Sequence, residues 1–146
     1  MEAYAGRGAM EMRARKLADE GRKTVLFEIM EERGRDRLTS GVWERALHKG
    51  DPIATRLMNR AIRALGTGVG SALNVLDVEA VVIGGGLGVR LGPMYLDRIT
   101  AEVMTHQFSP IPTDVRIAEL GDLGGAIGAS LLTETAPPSR KAAAAN

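Results

Sequence analysis

Between residues 51 and 76, apolar side chains fall at positions 53, 57, 58, 61, 62, 65, 69, 72, 73 and 76, in steps of one, three or four. That spacing predicts one long amphipathic helix. Asp51-Pro52 marks its start, a capping side chain followed by proline where a missing N–H costs nothing. Arg56, Arg60 and Arg63 lie off the apolar stripe and read as its solvated face. Upstream, the residues from Gly8 to about Glu20 favour helix, with Gly21 as the stop. Thr24 is the candidate cap of a second helix carrying Leu26, Ile29, Met30 and Arg33, and Gly34 ends it. Ser40 is the candidate cap of a third, with Val42, Ala46 and Leu47 on its apolar side and Gly50 as its stop. Trp43 reads as a core anchor rather than a stacking platform for a cofactor.

Downstream the period changes. Val78 to Ile83 is apolar and β-branched, which predicts a buried strand. Pro93 opens a helix with Leu96, Ile99 and Val103; "SPIPTD" is a loop; "VRIAEL" alternates and predicts a second strand. "GDLGGAIGASLL" follows as a small-residue helix with Asp122 as its cap. Residues 1–133 form the ordered unit, and 134–146, ending "SRKAAAAN", read as a disordered tail. The class is α/β, helix-rich and poor in strands. Two strands make a poor sheet with open edges, so the chain reads as part of a domain whose other strands lie elsewhere.

The stretch "VVIGGGLG", residues 81–88, sets three consecutive glycines at the end of the first strand. Two readings stand. Backbone N–H groups at a strand-to-helix junction can approach phosphate or sugar oxygens, or the turn is tight and carries no ligand. A dinucleotide fingerprint fails: the third glycine position holds Val89 counted from Gly84, and Leu91 counted from Gly86. No Gly-Lys-Ser/Thr occurs, so the Walker pattern fails as well. Gly66, Gly68 and Gly70 sit inside the long helix, each costing about 1 kcal/mol against alanine. Close packing of another element is favoured there over a bordering ligand.

Composition narrows the function classes. In 146 residues, 19 Lys and Arg balance 18 Asp and Glu, which argues against binding driven by nucleic-acid phosphates. Aromatic residues make up only 3%, little material for stacking bases. There is no cysteine, which excludes disulfides and thiolate metal sites in this chain. The longest run of apolar residues and glycine, Ala80 to Val89, is too short to span a bilayer, and the N-terminus lacks an apolar signal core. A cytoplasmic protein is the expectation. His48 and His106 are too far apart in sequence to propose as a metal pair and read as structural or surface residues; no catalytic Ser-His-Asp or Cys-His arrangement suggests itself.

Three stretches together resemble one family. "MEAYAGRGA" is similar to the end of the signature of ROK proteins (repressors, open reading frames, kinases). "GDPIATRLMNRAIRALGTGVGSALNVLDVEAVVIGGGLG" resembles the family's long helix, Asn-x-x-Asp loop, strand and glycine turn, and "LGDLGGAIGASLL" its closing strand and helix. The nearest resemblance is to bacterial ROK glucokinases. It implies part of an actin-like, ribonuclease-H-like ATPase lobe. It further implies ATP with Mg²⁺ and a hexose as partners of the complete protein, phosphorylation of glucose or a similar sugar, and a homo-oligomer. By the same resemblance Gly84, Gly85, Gly86, Leu87 and Gly88 match the turn that passes along the nucleotide. Glu2 matches the glutamate that accepts hydrogen bonds from sugar hydroxyls. The family's zinc-binding cysteine cluster, its Asp-x-Gly-x-Thr phosphate loop and its catalytic aspartate have no counterpart in these 146 residues. The chain alone is therefore expected to be inactive, with no catalytic residue and no metal ligand assigned in it. The alternatives are the sugar-sensing lobe of a ROK repressor and a non-catalytic assembly module.

Overall fold

The computed structural model describes residues 1–135, apart from the side chains of Asp122 and of residues 133–135. Five helices precede the first strand: α1 (Glu2–Ala5), α2 (Arg7–Asp19), α3 (Leu26–Glu32), α4 (Ser40–His48) and α5 (Pro52–Leu76). Then follow β1 (Ala80–Ile83), α6 (Gly86–His106), β2 (Asp114–Ile117), a 3-10 turn over Gly121–Leu123 and α7 (Gly124–Thr135). The first two residues of the expected tail thus extend α7, and the rest of it lies outside the described residues. So does the capping role expected of the Asp122 side chain.

The start of α5 is built as its sequence dictates. Asp51 accepts the Ala54 N–H at 2.7 Å through Oδ1 and the Val25 N–H at 2.7 Å through Oδ2. One carboxylate thereby caps α5 and ties it to the start of α3. At α3 the cap position falls on Val25, one residue after the expected Thr24, whose Oγ1 nonetheless accepts the Leu26 N–H at 3.2 Å. At α4 the cap position falls on Thr39, which makes no side-chain bond, and Ser40 is already helical. Asp51 is 3% exposed, so Asp51→Ala leaves two N–H groups without their partner where little water reaches. We expect it to cost about 2–3 kcal/mol, a cap and a partly buried hydrogen bond lost together. Chemical denaturation followed by circular dichroism measures it, and a loss under 0.5 kcal/mol would refute the joint role.

The core gathers Met10, Leu26, Ile29, Leu38, Met58 and Ile62 around Trp43, which is fully buried as expected. Against it packs the second half of α6, through Tyr95, Ile99 and Val103. The glycines of α5 are there for α6. A Cβ on Gly66 would stand 2.9 Å from the Glu102 carbonyl carbon, and one on Gly70 would stand 2.7 Å from the His106 Cβ. At Gly68 a Cβ would meet only the Met1 side chain. Asn74 closes the foot of this packing: it donates to the His106 carbonyl at 2.8 Å and accepts the Phe108 N–H at 2.8 Å.

The two strands pair in parallel, Ala80 with Asp114 through Ile83 with Ile117. The expectation of a buried strand is corrected here. Burial alternates along β1, and Val82 is 59% exposed. Val81 and Ile83 face the core, but among the described residues nothing covers Val82 on the other face. The helix expected to open at Pro93 also begins earlier, at Gly86, and is kinked at Gly92 (φ 64°, ψ −153°). Pro93 has no N–H to give and its ring crowds the preceding turn, so α6 is two segments joined at Gly92.

Candidate functional site

The glycine turn lies where the parallel pair ends. The Ala118 N–H donates to the Ile83 carbonyl at 3.0 Å, the last rung of the ladder, and Gly84 follows. Gly85 has φ 90° and ψ 154°, a conformation open in practice to glycine alone. The first bond of α6 runs from the Val89 N–H to the Gly85 carbonyl at 3.1 Å. The N–H groups of Gly86, Leu87 and Gly88 therefore precede the helical ladder. The glycines divide by cause. Gly85 is needed for its backbone angles. Gly88 sits in close packing: a Cβ there would come within 3.2 Å of Ile83 Cγ2, which would have to shift slightly. Gly84 has neither reason: its φ is not positive, and a Cβ would meet only the Ala118 Cβ, at an ordinary 3.9 Å. Leu87 packs its side chain toward the core and anchors the turn.

Beside it stands a second turn that sequence reading took only as the start of a small-residue helix. After β2 the chain passes through Gly121, at φ 53°, and the 3-10 turn into α7. Because β1 and β2 are parallel, both turns sit at the same edge, the carboxyl ends of the strands, where open α/β sheets bind ligands. The signal that could have found it was the repeat of strand, glycine and helix at two places in the chain.

Glu2 lies on α1, a single turn packed on α5, with its side chain exposed and folded back beside Gly6. Tyr4, on the same turn, lies under the Arg60 guanidinium at 4.4 Å. Arg56, Arg60 and Arg63 are all exposed as expected, and Arg60 also lies over this ring. Glu2 and the glycine turn thus stand on separate elements. His48 closes α4, and His106 closes α6 with its Nε2 3.1 Å from Thr67 Oγ1. Among the described residues no group of three or more His, Asp or Glu is placed to hold a metal ion. No described helix is long and apolar enough to cross a membrane.

One buried carboxylate escaped sequence reading. Glu11, 5% exposed, accepts from Arg15 at 2.8 Å, from Arg37 at 3.0 Å and from the Leu38 N–H at 3.2 Å. The spacing Glu11–Arg15 was its only local signal. Burial by itself would raise the Glu11 pKa, but the hydrogen bonds from Arg15, Arg37 and Leu38 outweigh it and hold the carboxyl below its ordinary value of 4.5. A depressed folded pKa contributes stability that is present above the unfolded value and is lost as pH falls through the folded one. We therefore expect stability to drop on acidification below about pH 4.5, the unfolded value, and Glu11→Gln to flatten that part of the profile while costing about 1–3 kcal/mol at pH 7. Melting curves from pH 7 to 3 decide it; parallel acid profiles for the two proteins would count against the assignment.

The ROK family model matches residues 1–136. The chain belongs to the ROK family. Among solved structures it is similar to a ROK hexokinase from Thermus thermophilus, 26% identical, with a TM-score of 0.64 over 90% of this chain and 39% of that one. It is also similar to a ROK glucokinase from Streptomyces griseus solved with glucose and AMPPNP, 24% identical, TM-score 0.73, over 92% of this chain and 44% of that one. A putative sugar kinase from Cytophaga hutchinsonii, 19% identical, aligns with a TM-score of 0.67 over 91% of this chain and 43% of that one. Curated protein sequences gave no match. The ROK chain described here spans less than half the length of these kinases. Its helix-rich lobe with a two-stranded parallel sheet is part of the actin-like ATPase fold that they share.

Proposed function

We propose that this chain is the C-terminal segment of a ROK-type sugar kinase, which in the complete protein transfers phosphate from ATP to glucose or a similar hexose. The observation that carries the reading is Gly84. It ends a parallel strand, needs neither positive φ nor space for a neighbour, and so leaves open backbone beside Gly85, Gly86, Leu87 and Gly88. A nucleotide lying along that backbone would meet the free N–H groups that open α6, where the peptide dipoles favour anionic oxygens. The glucokinase neighbour solved with AMPPNP supports a nucleotide partner, and its glucose supports a sugar. Glu2 would accept hydrogen bonds from sugar hydroxyls, its two carboxylate oxygens being acceptors only. Mg²⁺ would accompany ATP, and the cell compartment would be the cytoplasm.

Phosphoryl transfer depends on positioning and charge stabilisation around the phosphates. These 146 residues contain no Asp-x-Gly-x-Thr loop, and no residue in them is assigned as the base. The remaining strands of the sheet would come from the rest of such a kinase, covering Val82 and the exposed Phe108 and Ile111. The helices from Gly8 to Leu76 would supply homo-oligomer surface. We expect the purified chain with ATP, Mg²⁺ and glucose to give no turnover in a coupled assay. Sustained turnover abolished by Glu2→Ala would contradict this. The reading frame upstream of Met1 separates the alternatives: an Asp-x-Gly-x-Thr loop supports a kinase, and a helix-turn-helix supports a repressor.

A further inference from the structure

Where α4, α5 and α6 meet, beside the kink of α6, lies a cleft of about 250 Å³ whose lining includes Arg90, Arg98, Glu44 and the apolar Leu47, Met58 and Leu91. Near this cleft, over Gly41 of α4, two guanidinium groups from different elements converge on one point. A Cβ on Gly41 would stand 2.9 Å from Arg33 Nη1 and 3.9 Å from both Cζ and Nη1 of Arg90. The two charges are therefore neighbours. Arg90 has one acidic partner, Glu44, at 3.6 Å, too long for a good hydrogen bond. Arg33 has no carboxylate partner among the described residues. Arg98 is spent on the neutral Asn59 carbonyl at 2.7 Å. Two like charges held together repel one another, and an anion seated between them removes that repulsion and satisfies both forks. Gly41 leaves the floor between them bare of any side chain.

We propose that Arg33 and Arg90 form a phosphate-binding pair, a site distinct from the glycine turn although Arg90 follows Gly88 by two residues on α6. The guanidinium fork suits the tetrahedral oxygens of a phosphate better than a single carboxylate does, and Arg presents five donors in fixed geometry. The absence of a side-chain cap at Thr39 leaves the first N–H groups of α4 free of a side-chain acceptor beside Gly41. The apolar part of the cleft would take the body of a phosphorylated molecule. That phosphate could belong to a nucleotide reaching over from the glycine turn or to a separate phosphate ester, and the two sources are separable.

Pyrophosphate, AMPPNP and glucose 6-phosphate, titrated calorimetrically into the whole chain at low salt, test the site. Pyrophosphate is expected to bind, and Arg33→Ala and Arg90→Ala each to weaken it about tenfold or more, the effect of losing a charged hydrogen bond. Glu44→Gln is expected to tighten it, because Arg90 loses its competing carboxylate; a purely structural role for Arg90 predicts no gain. Arg56→Ala, on the exposed face of α5, is expected to leave it unchanged. AMPPNP binding weakened by Arg33→Ala and Arg90→Ala assigns the phosphate to a nucleotide, and glucose 6-phosphate binding weakened by them, with AMPPNP binding unchanged, assigns it to a separate ester. Gly84→Ala separates this site from the glycine turn: pyrophosphate binding that survives the arginine variants and disappears with Gly84→Ala overturns the proposal. So does a folded wild-type chain that binds no pyrophosphate, or one that binds it equally with and without Arg33 and Arg90.

Discussion

Gly66→Ala and Gly70→Ala are expected to destabilise the protein, while Gly68→Ala, between them on the same helix, stabilises it. Alanine gains about 1 kcal/mol over glycine in a helix interior, whatever surrounds it. At Gly66 the new carbon would run into the Cβ and the backbone of Glu102, and at Gly70 into His106 Cβ and, at 3.1 Å, the Val103 carbonyl. These atoms belong to α6, which is held by Ile99 and Val103 in the core and by Asn74 at its end. The helix has no side-chain freedom to give there, so overpacking of about 1–3 kcal/mol exceeds the propensity gain. We expect a net loss of about 1 kcal/mol for each and about 2 for the pair, the sum being approximate because both act on one contact. At Gly68 the obstacle is the flexible end of Met1, which can move aside. Urea denaturation of the three variants measures all three signs, and equal gains at the three positions would show that α5 and α6 do not pack so closely.

The second large effect belongs to the glycine turn. Gly85→Val places a β-branched residue at φ 90°, which costs about 1–3 kcal/mol in strain before any ligand is considered. Gly84→Ala carries no such strain, and its Cβ has room beside Ala118. If a nucleotide lies on this backbone, Gly84→Ala should leave the melting temperature nearly unchanged and weaken nucleotide binding about tenfold, the equivalent of about 1.4 kcal/mol. Gly85→Val should weaken it about a hundredfold and lower stability as well. A turn with a structural role only predicts that neither variant touches nucleotide affinity except through unfolding. Calorimetric titration of AMPPNP against each folded variant separates the two.

The α5 pattern and the Asp51-Pro52 start were legible because they are local: a period, a cap and a proline that act within one turn of each other. The three α5 glycines were legible as a cost without a visible return, and α6 supplies the reason for two of them. Long-range facts were not legible. Glu11 went unread, since its partners Arg37 and Leu38 lie 26 and 27 residues away, beyond α3. Val82 read as buried because its composition matches a covered strand, while the cover is not among the described residues. The kink at Gly92 hid the true start of α6, since Pro93 taken alone is a start signal. At the site, the run of glycines announced a special turn, but not that Gly85 serves conformation, that Gly88 lies close against Ile83 and that Gly84 has neither reason. That division required φ angles and neighbours, which no single stretch of sequence contains.

The central claim is that the Gly84–Gly88 backbone of this ROK chain faces a nucleotide. The most direct measurement is a titration of the isotopically labelled chain with AMPPNP, followed through its backbone amide resonances. The account predicts saturable shifts centred on Gly84, Gly85, Gly86, Leu87 and Gly88, abolished or much weakened in Gly84→Ala while the rest of that variant's spectrum stays folded. Unmoved amides in this turn at saturating AMPPNP, or the same shifts in wild type and Gly84→Ala, would contradict it.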